Sequence, residues 1–183
     1  MKRFILTGAP GAGKTAILRQ LELDGFSVVE EAATDLIALA QAKGIAEPWM
    51  QPSFIDSIAD LQRLRQVRAS HQPDEVQFHD RSAFCTAALA DYLGHPLSEV
   101  LMRKLERLKR EAFYEKRVFF VQSLGFVTPS AARRISLEEA RRFETVHEKT
   151  YRLHGFELIP ISPGSVLDRV AAIQGVVDER RAG

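Results

Sequence analysis

Cysteine and long apolar runs are almost absent from this sequence of 183 residues. The single cysteine, Cys85, excludes an internal disulfide and is typical of a reducing compartment. No apolar stretch approaches the roughly 18 residues that cross a membrane, and the N-terminus is predicted to be a strand rather than a signal peptide. We therefore predict a cytoplasmic protein.

An excess of charge of either sign is also absent. The 25 lysines and arginines are balanced by 24 aspartates and glutamates, which leaves a net charge of +1. Basic residues cluster within 103–110, where they alternate with leucines as on the solvent-facing side of a helix. This balance predicts neither nucleic acid nor a membrane as a partner, and it leaves the oligomeric state open.

The clearest motif lies at the start of the chain. Residues 2–7 are predicted to form a buried strand, and Gly8–Thr15 fits the pattern G-x-x-x-x-G-K-[ST] without a mismatch. The glycines allow the positive φ angles that turn backbone N–H groups around a phosphate, and the helix that follows directs its positive dipole end at the same anion. The predicted phosphate-binding residues are Gly8, Ala9, Pro10, Gly11, Ala12, Gly13, Lys14, Thr15 and Ala16.

Two side chains of this motif have their own chemistry. The Lys14 ammonium is expected beside the β- and γ-phosphates, and the Thr15 hydroxyl is placed to bind Mg²⁺. We therefore predict that the chain binds ATP together with Mg²⁺.

Strands alternate with helices along the chain, which is typical of a parallel sheet covered by helices on both faces. The predicted strands span residues 2–7, 26–30, 75–79, 117–122 and 156–161. The predicted helices span about 14–23, 32–43, 53–70, 81–93, 98–115, 136–154 and 166–180. The fold class is α/β: a three-layer α/β/α P-loop NTPase with a five-stranded parallel sheet, in one domain, 1–183, with a lid-like loop at about 123–136.

Residues outside the phosphate loop distinguish three classes of P-loop protein. A signalling GTPase needs the motif N-K-x-D, which does not occur in this sequence. In a mechanical ATPase, the Walker B strand usually ends in Asp-Glu. The corresponding strand here, the third, ends at Asp80 and is followed by Arg81. Asp80 can still hold Mg²⁺, but Arg81 cannot activate a water molecule for hydrolysis. This favours a kinase.

A small-molecule kinase needs a base beside the acceptor hydroxyl and arginines that follow the phosphoryl group. Glu30 and Glu31 follow the second strand, at the edge where open α/β sheets bind ligands. Alternation places them on opposite sides, so one is expected to face the site; alternatively, both merely occupy the first helical turn. Arg133 and Arg134 in the lid-like loop are predicted to close over the triphosphate, the alternative being a solvated surface pair.

Four segments spread over nearly the whole chain carry a family resemblance: 8–15, 28–33, 78–82, and Arg133-Arg134 ahead of a helix with Tyr151 and Gly155. They resemble the P-loop kinase-like AAA-domain family of predicted ATPases and kinases. That family is similar to the ribosylnicotinamide-kinase domain of bacterial NAD regulators and, more distantly, to deoxynucleoside kinases.

The resemblance implies the strand order 2-3-1-4-5. It matches Glu31 to the glutamate that follows a strand in the family, and Asp80-Arg81 to the kinase D-R motif. It also implies that 162–165 lies near the adenine, although these residues could equally cap a helix. Family members often have an arginine three residues after the glutamate, where this chain has Thr34.

Three further residues have less specific signals. Cys85 shares an apolar helix face with other apolar residues and is predicted to be a core residue. Trp49 and Met50 either line an acceptor pocket or pack against neighbouring elements, and we favour packing.

The leading hypothesis is Mg²⁺-ATP-dependent phosphoryl transfer to a hydroxyl of a small, nucleoside-like molecule. The predicted metal ligands are Thr15 and Asp80. The predicted catalytic residues are Lys14, Glu31, Asp80, Arg81, Arg133 and Arg134. The alternative is a nucleotide-dependent regulatory or binding module that hydrolyses ATP slowly and has no acceptor.

Overall fold

A computed structural model of the chain describes residues 1–72, 74–124 and 136–179. The elements follow one another in the order β1 (Lys2–Thr7), α1 (Lys14–Leu23), β2 (Ser27–Val29), α2 (Ala32–Ala42), a 3₁₀ turn (Pro48–Met50), α3 (Ser53–Ala69), β3 (Val76–Asp80), α4 (Ala83–Leu93), α5 (Glu99–Arg110), β4 (Arg117–Val121), α6 (Leu137–Leu153), β5 (Glu157–Ile161) and α7 (Val166–Glu179).

The five strands form one parallel sheet in the order β2-β3-β1-β4-β5, which confirms the predicted order. The register pairs Leu6 of β1 with Asp80 of β3, and Thr7 with Phe120 of β4. Because the strands are parallel, their carboxyl ends meet at one edge of the sheet. The loop after β1 therefore begins beside the last residues of β3 and β4.

Two separate hydrophobic clusters cover the two faces of the sheet. Successive residues of β1 alternate between them, as the pleat of a strand requires. Phe4 packs in the cluster that includes Leu21 of α1 and Ile173 of α7, whereas Ile5 packs in the cluster that includes Phe84 of α4 and Tyr151 of α6. The three-layer α/β/α architecture predicted from the alternating elements is confirmed.

Two polar residues share one face of β3, although all five residues of this strand are buried. The ring Nε2–H of His79 donates to the side-chain oxygen of Gln77 (2.9 Å), and the Gln77 amide donates to the carbonyl oxygen of Ala69 (3.2 Å). Burial, followed by the nearby positive charge of Arg3, lowers the pKa of His79 to about 3. The pair is tolerated inside the sheet because it is neutral and hydrogen-bonded.

Two predicted helix boundaries are wrong, each for a local reason. The helix predicted from residue 81 begins at Ala83, because Arg81 has a φ of 68° and the Ser82 hydroxyl caps the helix by accepting from the backbone N–H of Phe84. The helix predicted to reach residue 115 ends at Arg110, and Ala112 has a φ of 44°, which leaves the right-handed helical region.

No helix in the described part of the chain is both long enough and apolar enough to cross a membrane.

Candidate functional site

The phosphate loop connects β1 to α1 and takes its shape from glycine. Gly8, Gly11 and Gly13 have φ angles of 130°, 81° and 87°, a region that residues with a side chain rarely adopt. Gly8 is also confined by contact, because a Cβ atom there would lie 2.2 Å from the carbonyl oxygen of Val121 at the end of β4. The sheet therefore holds the first glycine against β4.

The ammonium group of Lys14 folds back over this loop. It is buried and donates hydrogen bonds to the carbonyl oxygens of Gly8 (3.1 Å) and Ala9 (2.8 Å). The positive charge that the motif predicts beside the phosphates is thus already held within the loop.

A cavity of about 160 Å³ lies beside the start of α1, and side chains with oxygen atoms from three segments line it. Thr15, Asp80 and Glu31 all line it. Within the described ranges, no group of three or more His, Cys, Asp or Glu residues could hold a metal ion by itself. The Thr15 hydroxyl and the Asp80 carboxylate fit Mg²⁺, an ion that commonly takes few protein oxygens and keeps phosphate and water ligands.

Glu31 and Arg81 form an ion pair at the edge of this cavity. The Nε–H of Arg81 donates to Oε1 of Glu31 at 2.6 Å, with only 8% and 14% of the two side chains exposed. Burial is the largest effect and lowers the pKa of Arg81, but the combined attraction of nearby groups, Glu31 first and then Cys85 and Asp80, raises it. The backbone N–H of Arg81 donates to the carbonyl oxygen of Leu6 (3.0 Å), which fixes the pair to β1.

Contacts from α2 and α3 hold both the carboxylate and the backbone of Glu31. The Thr34 hydroxyl donates to Oε2 of Glu31 (2.6 Å), so the residue that departs from the family pattern contacts the predicted base. Arg65 donates to the backbone carbonyl oxygens of Glu30 (3.1 Å) and Glu31 (2.5 Å). The side chain of Glu30 is about half exposed and pairs with Arg19. Both glutamates line the small cavity, but their carboxylates have different partners, and it is Glu31 that lies against Arg81.

A second and larger cavity, of about 370 Å³, opens on the other side of Glu31. Pro10 of the phosphate loop, Glu31 and Arg81 line it at one end. Its walls are mostly apolar and aromatic and come from α2, the 3₁₀ turn, α3, α4 and α6: Ile37, Trp49, Met50, Phe54, Ile58, Leu89, Tyr92 and Phe143. Trp49 packs against Ala32, Phe54 and Ile58, as favoured from the sequence. The 3₁₀ turn that contains Trp49 and Met50 also forms part of the cavity wall, so packing alone does not describe these residues.

One polar pair interrupts the apolar walls. The Thr86 hydroxyl donates to the side-chain oxygen of Gln62 at 3.0 Å, and both residues are buried. This bond fixes the orientation of the Gln62 amide, whose Nε2 makes no hydrogen bond within the described residues. Cys85, predicted as a core residue, is buried but also lines the cavity, with its sulfur 2.9 Å from the hydroxyl of Tyr151.

His147 on α6 completes the surroundings of Arg81 and was not identified from the sequence. Its Nδ1–H donates to the carbonyl oxygen of Phe143 (2.9 Å), so Nε2 is left to accept from Nη1 of Arg81 (3.4 Å). Burial, followed by the charge of Arg81, holds the pKa of His147 well below its usual value. The only sequence signal was its position on the buried stripe of α6, since it has no motif.

Two sets of predicted site residues remain. Arg133 and Arg134, with most of the predicted lid-like loop, lie outside the described residues. At 162–165, the Ser165 hydroxyl accepts from the backbone N–H of Asp168 (3.1 Å), as expected of a residue that caps α7.

The sheet order, the glycine loop after β1 and the Asp80-Arg81 pair after β3 together define a P-loop protein with a kinase-like fold. The chain belongs to the AAA domain family, whose model matches residues 3–169. No curated protein matches it in sequence.

Solved structures show the same fold at low sequence identity. Deoxyadenosine kinase from M. mycoides, solved with dCMP and dCDP, has a TM-score of 0.61 at 12% identity, and the match covers 97% of this chain and 99% of that one. The NadR protein in complex with NAD and AMP-PNP has a TM-score of 0.67 at 18% identity, over 97% of this chain and 49% of that one. The family resemblance inferred from the sequence is confirmed.

Proposed function

We propose that this protein transfers the γ-phosphoryl group of ATP to a hydroxyl group of a small, nucleoside-like acceptor. One observation carries the proposal: Glu31 lines both the small cavity with Thr15 and Asp80 and the large apolar cavity. A carboxylate at the boundary between a phosphate site and an acceptor site is where a general base for phosphoryl transfer must be. The AMP-PNP bound in the NadR protein supports the assignment of ATP as the donor.

The phosphate side holds and polarises the triphosphate. Backbone N–H groups of 8–16, except at Pro10, which has none, would surround the β-phosphate. The Lys14 ammonium would exchange its bonds to the Gly8 and Ala9 carbonyl oxygens for phosphate oxygens. Thr15 and Asp80 would hold Mg²⁺, which would supply positive charge beside the phosphates.

The acceptor side favours a flat, largely apolar molecule with a few polar groups. A volume of about 370 Å³ is in the range of small-molecule sites, and the aromatic walls can stack on a planar ring. The oriented amide of Gln62 offers a hydrogen-bond donor at the wall. A nucleoside has this combination of a planar base with polar edges and a sugar hydroxyl.

These groups account for both the proton and the leaving group of the transfer step. The acceptor hydroxyl gives its proton to Glu31 as its oxygen forms a bond to the γ-phosphorus, and the bond from that phosphorus to the β–γ bridging oxygen breaks to release ADP. Arg81 stabilises the negative charge on the transferred group, and Arg133 and Arg134 are proposed to do so from the lid-like loop.

The test compares Glu31→Gln with Glu30→Gln. Phosphorylation of a panel of nucleosides is measured together with ATP binding by calorimetry. Glu31→Gln should lower turnover by about 10²–10⁴-fold, the usual contribution of a general base, and leave the ATP dissociation constant within about twofold. Glu30→Gln removes the half-exposed ion pair with Arg19 at the rim of the small cavity but leaves the Glu31 carboxylate in place, so turnover should fall far less than in Glu31→Gln.

Two results would contradict the proposal. Wild-type turnover in Glu31→Gln would remove Glu31 from the mechanism. ATP hydrolysis that no member of the panel stimulates would favour the regulatory ATPase over the kinase.

A further inference from the structure

A buried arginine on α7 contacts the backbone of the phosphate loop and has no part in the proposed transfer step. Arg169 is only 3% exposed, although it lies in the first turn of a helix on the outer layer of the fold. Its Nη1 donates to the carbonyl oxygen of Ala12 (2.9 Å), and its Nη2 donates to the carbonyl oxygen of Gln122 (3.2 Å). A single guanidinium thus joins the phosphate loop to the chain that leaves β4.

The same group fills the space beside Gly13. A Cβ atom on Gly13 would lie 2.9 Å from Nη1 of Arg169, which is closer than such atoms approach. Gly13 has a φ of 87° and precedes the first residue of α1. The guanidinium is therefore packed against the glycine whose backbone amide opens the helix.

The bond to Ala12 fixes the direction of a whole peptide group. The C=O of Ala12 and the N–H of Gly13 belong to one planar trans peptide, so they point in opposite directions. When Arg169 holds the carbonyl oxygen toward α7, the N–H of Gly13 is directed away from α7. In a P-loop, this orientation decides whether the amide can reach the phosphate.

The guanidinium group of an arginine is suited to holding a peptide group in one orientation. Two carbonyl oxygens on different segments are bonded at once by two nitrogens of one rigid plane, which a lysine ammonium on a flexible stem cannot reproduce. The burial of Arg169 lowers its pKa, yet an arginine remains charged. Its positive charge close to the loop also favours an anionic ligand.

We propose that Arg169 is a positioning residue of the nucleotide site, which holds the Ala12–Gly13 peptide in the orientation that binds phosphate and ties the phosphate loop to the segment after β4. This inference rests on the proposed function in one respect: it assumes that the ligand of the loop is a nucleoside triphosphate.

The test uses Arg169→Met, which keeps an apolar stem, and Arg169→Lys, which keeps the charge. The control is Gln174→Met, because Gln174 joins the same helix to α1 by a hydrogen bond to Asp24 (2.9 Å) far along α7. The dissociation constant of a non-hydrolysable ATP analogue, the KM of the acceptor and the Tm without nucleotide are measured for each variant.

Arg169→Met should bind the analogue about tenfold more weakly or worse, with the acceptor KM unchanged, because a charge-assisted hydrogen bond behind the loop is lost. Arg169→Lys should fall between Arg169→Met and the wild type. Gln174→Met should lower Tm slightly and leave nucleotide affinity unchanged.

Unchanged analogue affinity in folded Arg169→Met would overturn the positioning role and leave the kinase assignment intact. If Arg169→Met does not fold, unchanged affinity in Arg169→Lys has the same meaning. Failure of the wild-type protein to bind the analogue would instead overturn the nucleotide assignment itself.

Discussion

The phosphate loop and the large apolar cavity, which we propose as the acceptor site, are built in opposite ways. The loop is a contiguous stretch, 8–15, whose function depends on backbone amides and on glycines that no side chain could replace. The cavity is formed by side chains from α2, the 3₁₀ turn, α3, α4 and α6, from Ile37 to Phe143. Backbone strain is therefore expected to affect the phosphate loop, whereas loss of side-chain volume is expected to affect only the large cavity.

The largest effect is expected where a side chain is added to the loop. Gly8→Ala should lose about 1–2 kcal/mol of unfolding free energy for a positive φ angle and about 1–3 kcal/mol more for overpacking against the Val121 carbonyl oxygen. Gly44→Ala is the matched control, because Gly44 has a φ of 84° but nothing within 4 Å of a Cβ atom. Urea denaturation of both variants measures the difference, and equal losses would show that contact with β4 does not matter.

A smaller effect is expected at the cavity wall. Trp49→Ala removes an aromatic ring from the 3₁₀ turn and should raise the acceptor KM about tenfold, with ATP affinity unchanged. Met50→Ala is the control on the same turn, because Met50 is 65% exposed, and it should change KM by about twofold at most. Steady-state kinetics with the best acceptor from the nucleoside panel provide the measurement. A parallel loss of ATP affinity in Trp49→Ala would contradict the separation of the two sites.

The smallest effect is expected at His147, which touches Arg81 rather than either ligand. His147→Phe removes the acceptor for Nη1 of Arg81 and should lower kcat by about fivefold, the value of one hydrogen bond. His147→Gln offers a side-chain oxygen near the same place and should recover most of that loss. Equal kcat values for the two variants would mean that the contact has no role in positioning Arg81.

The same histidine has a separate consequence for pH. Because the folded-state pKa of His147 is well below that of an unfolded histidine, its contribution to stability is complete above about pH 6.5 and declines as the pH falls below that value. His147→Gln should therefore lose less unfolding free energy than the wild type between pH 7 and pH 5. A steeper loss in the variant would show that His147 is charged in the folded protein.

The phosphate loop and the large cavity also differ in how well they could be predicted from the sequence. The donor site was predicted because its residues are contiguous and their spacing is fixed by backbone geometry. The alternation of elements predicted the layers, and the family resemblance supplied the strand order. The start of α4 was placed two residues early, because nothing in the local sequence signals the positive φ of Arg81.

The acceptor side could not be predicted in the same way. Trp49 lies in a loop, and only the packing of α2 and α3 around it shows that it faces a cavity. His147 and Arg169 act on partners 66 and 157 residues away, and each looked like an ordinary helical residue. Contacts at such separations depend on tertiary structure, which a spacing rule does not describe.

In the proposed reaction, the buried ion pair between Glu31 and Arg81 would link two events thermodynamically. When Glu31 takes the acceptor proton, it loses the charge that compensates Arg81, and a buried arginine without a counterion is costly. The phosphoryl group that arrives on the acceptor at the same moment carries new negative charge, which can replace the lost carboxylate. We expect Arg81 to exchange one anion for the other, so that protonation of the base and retention of the product stabilise each other until the product leaves.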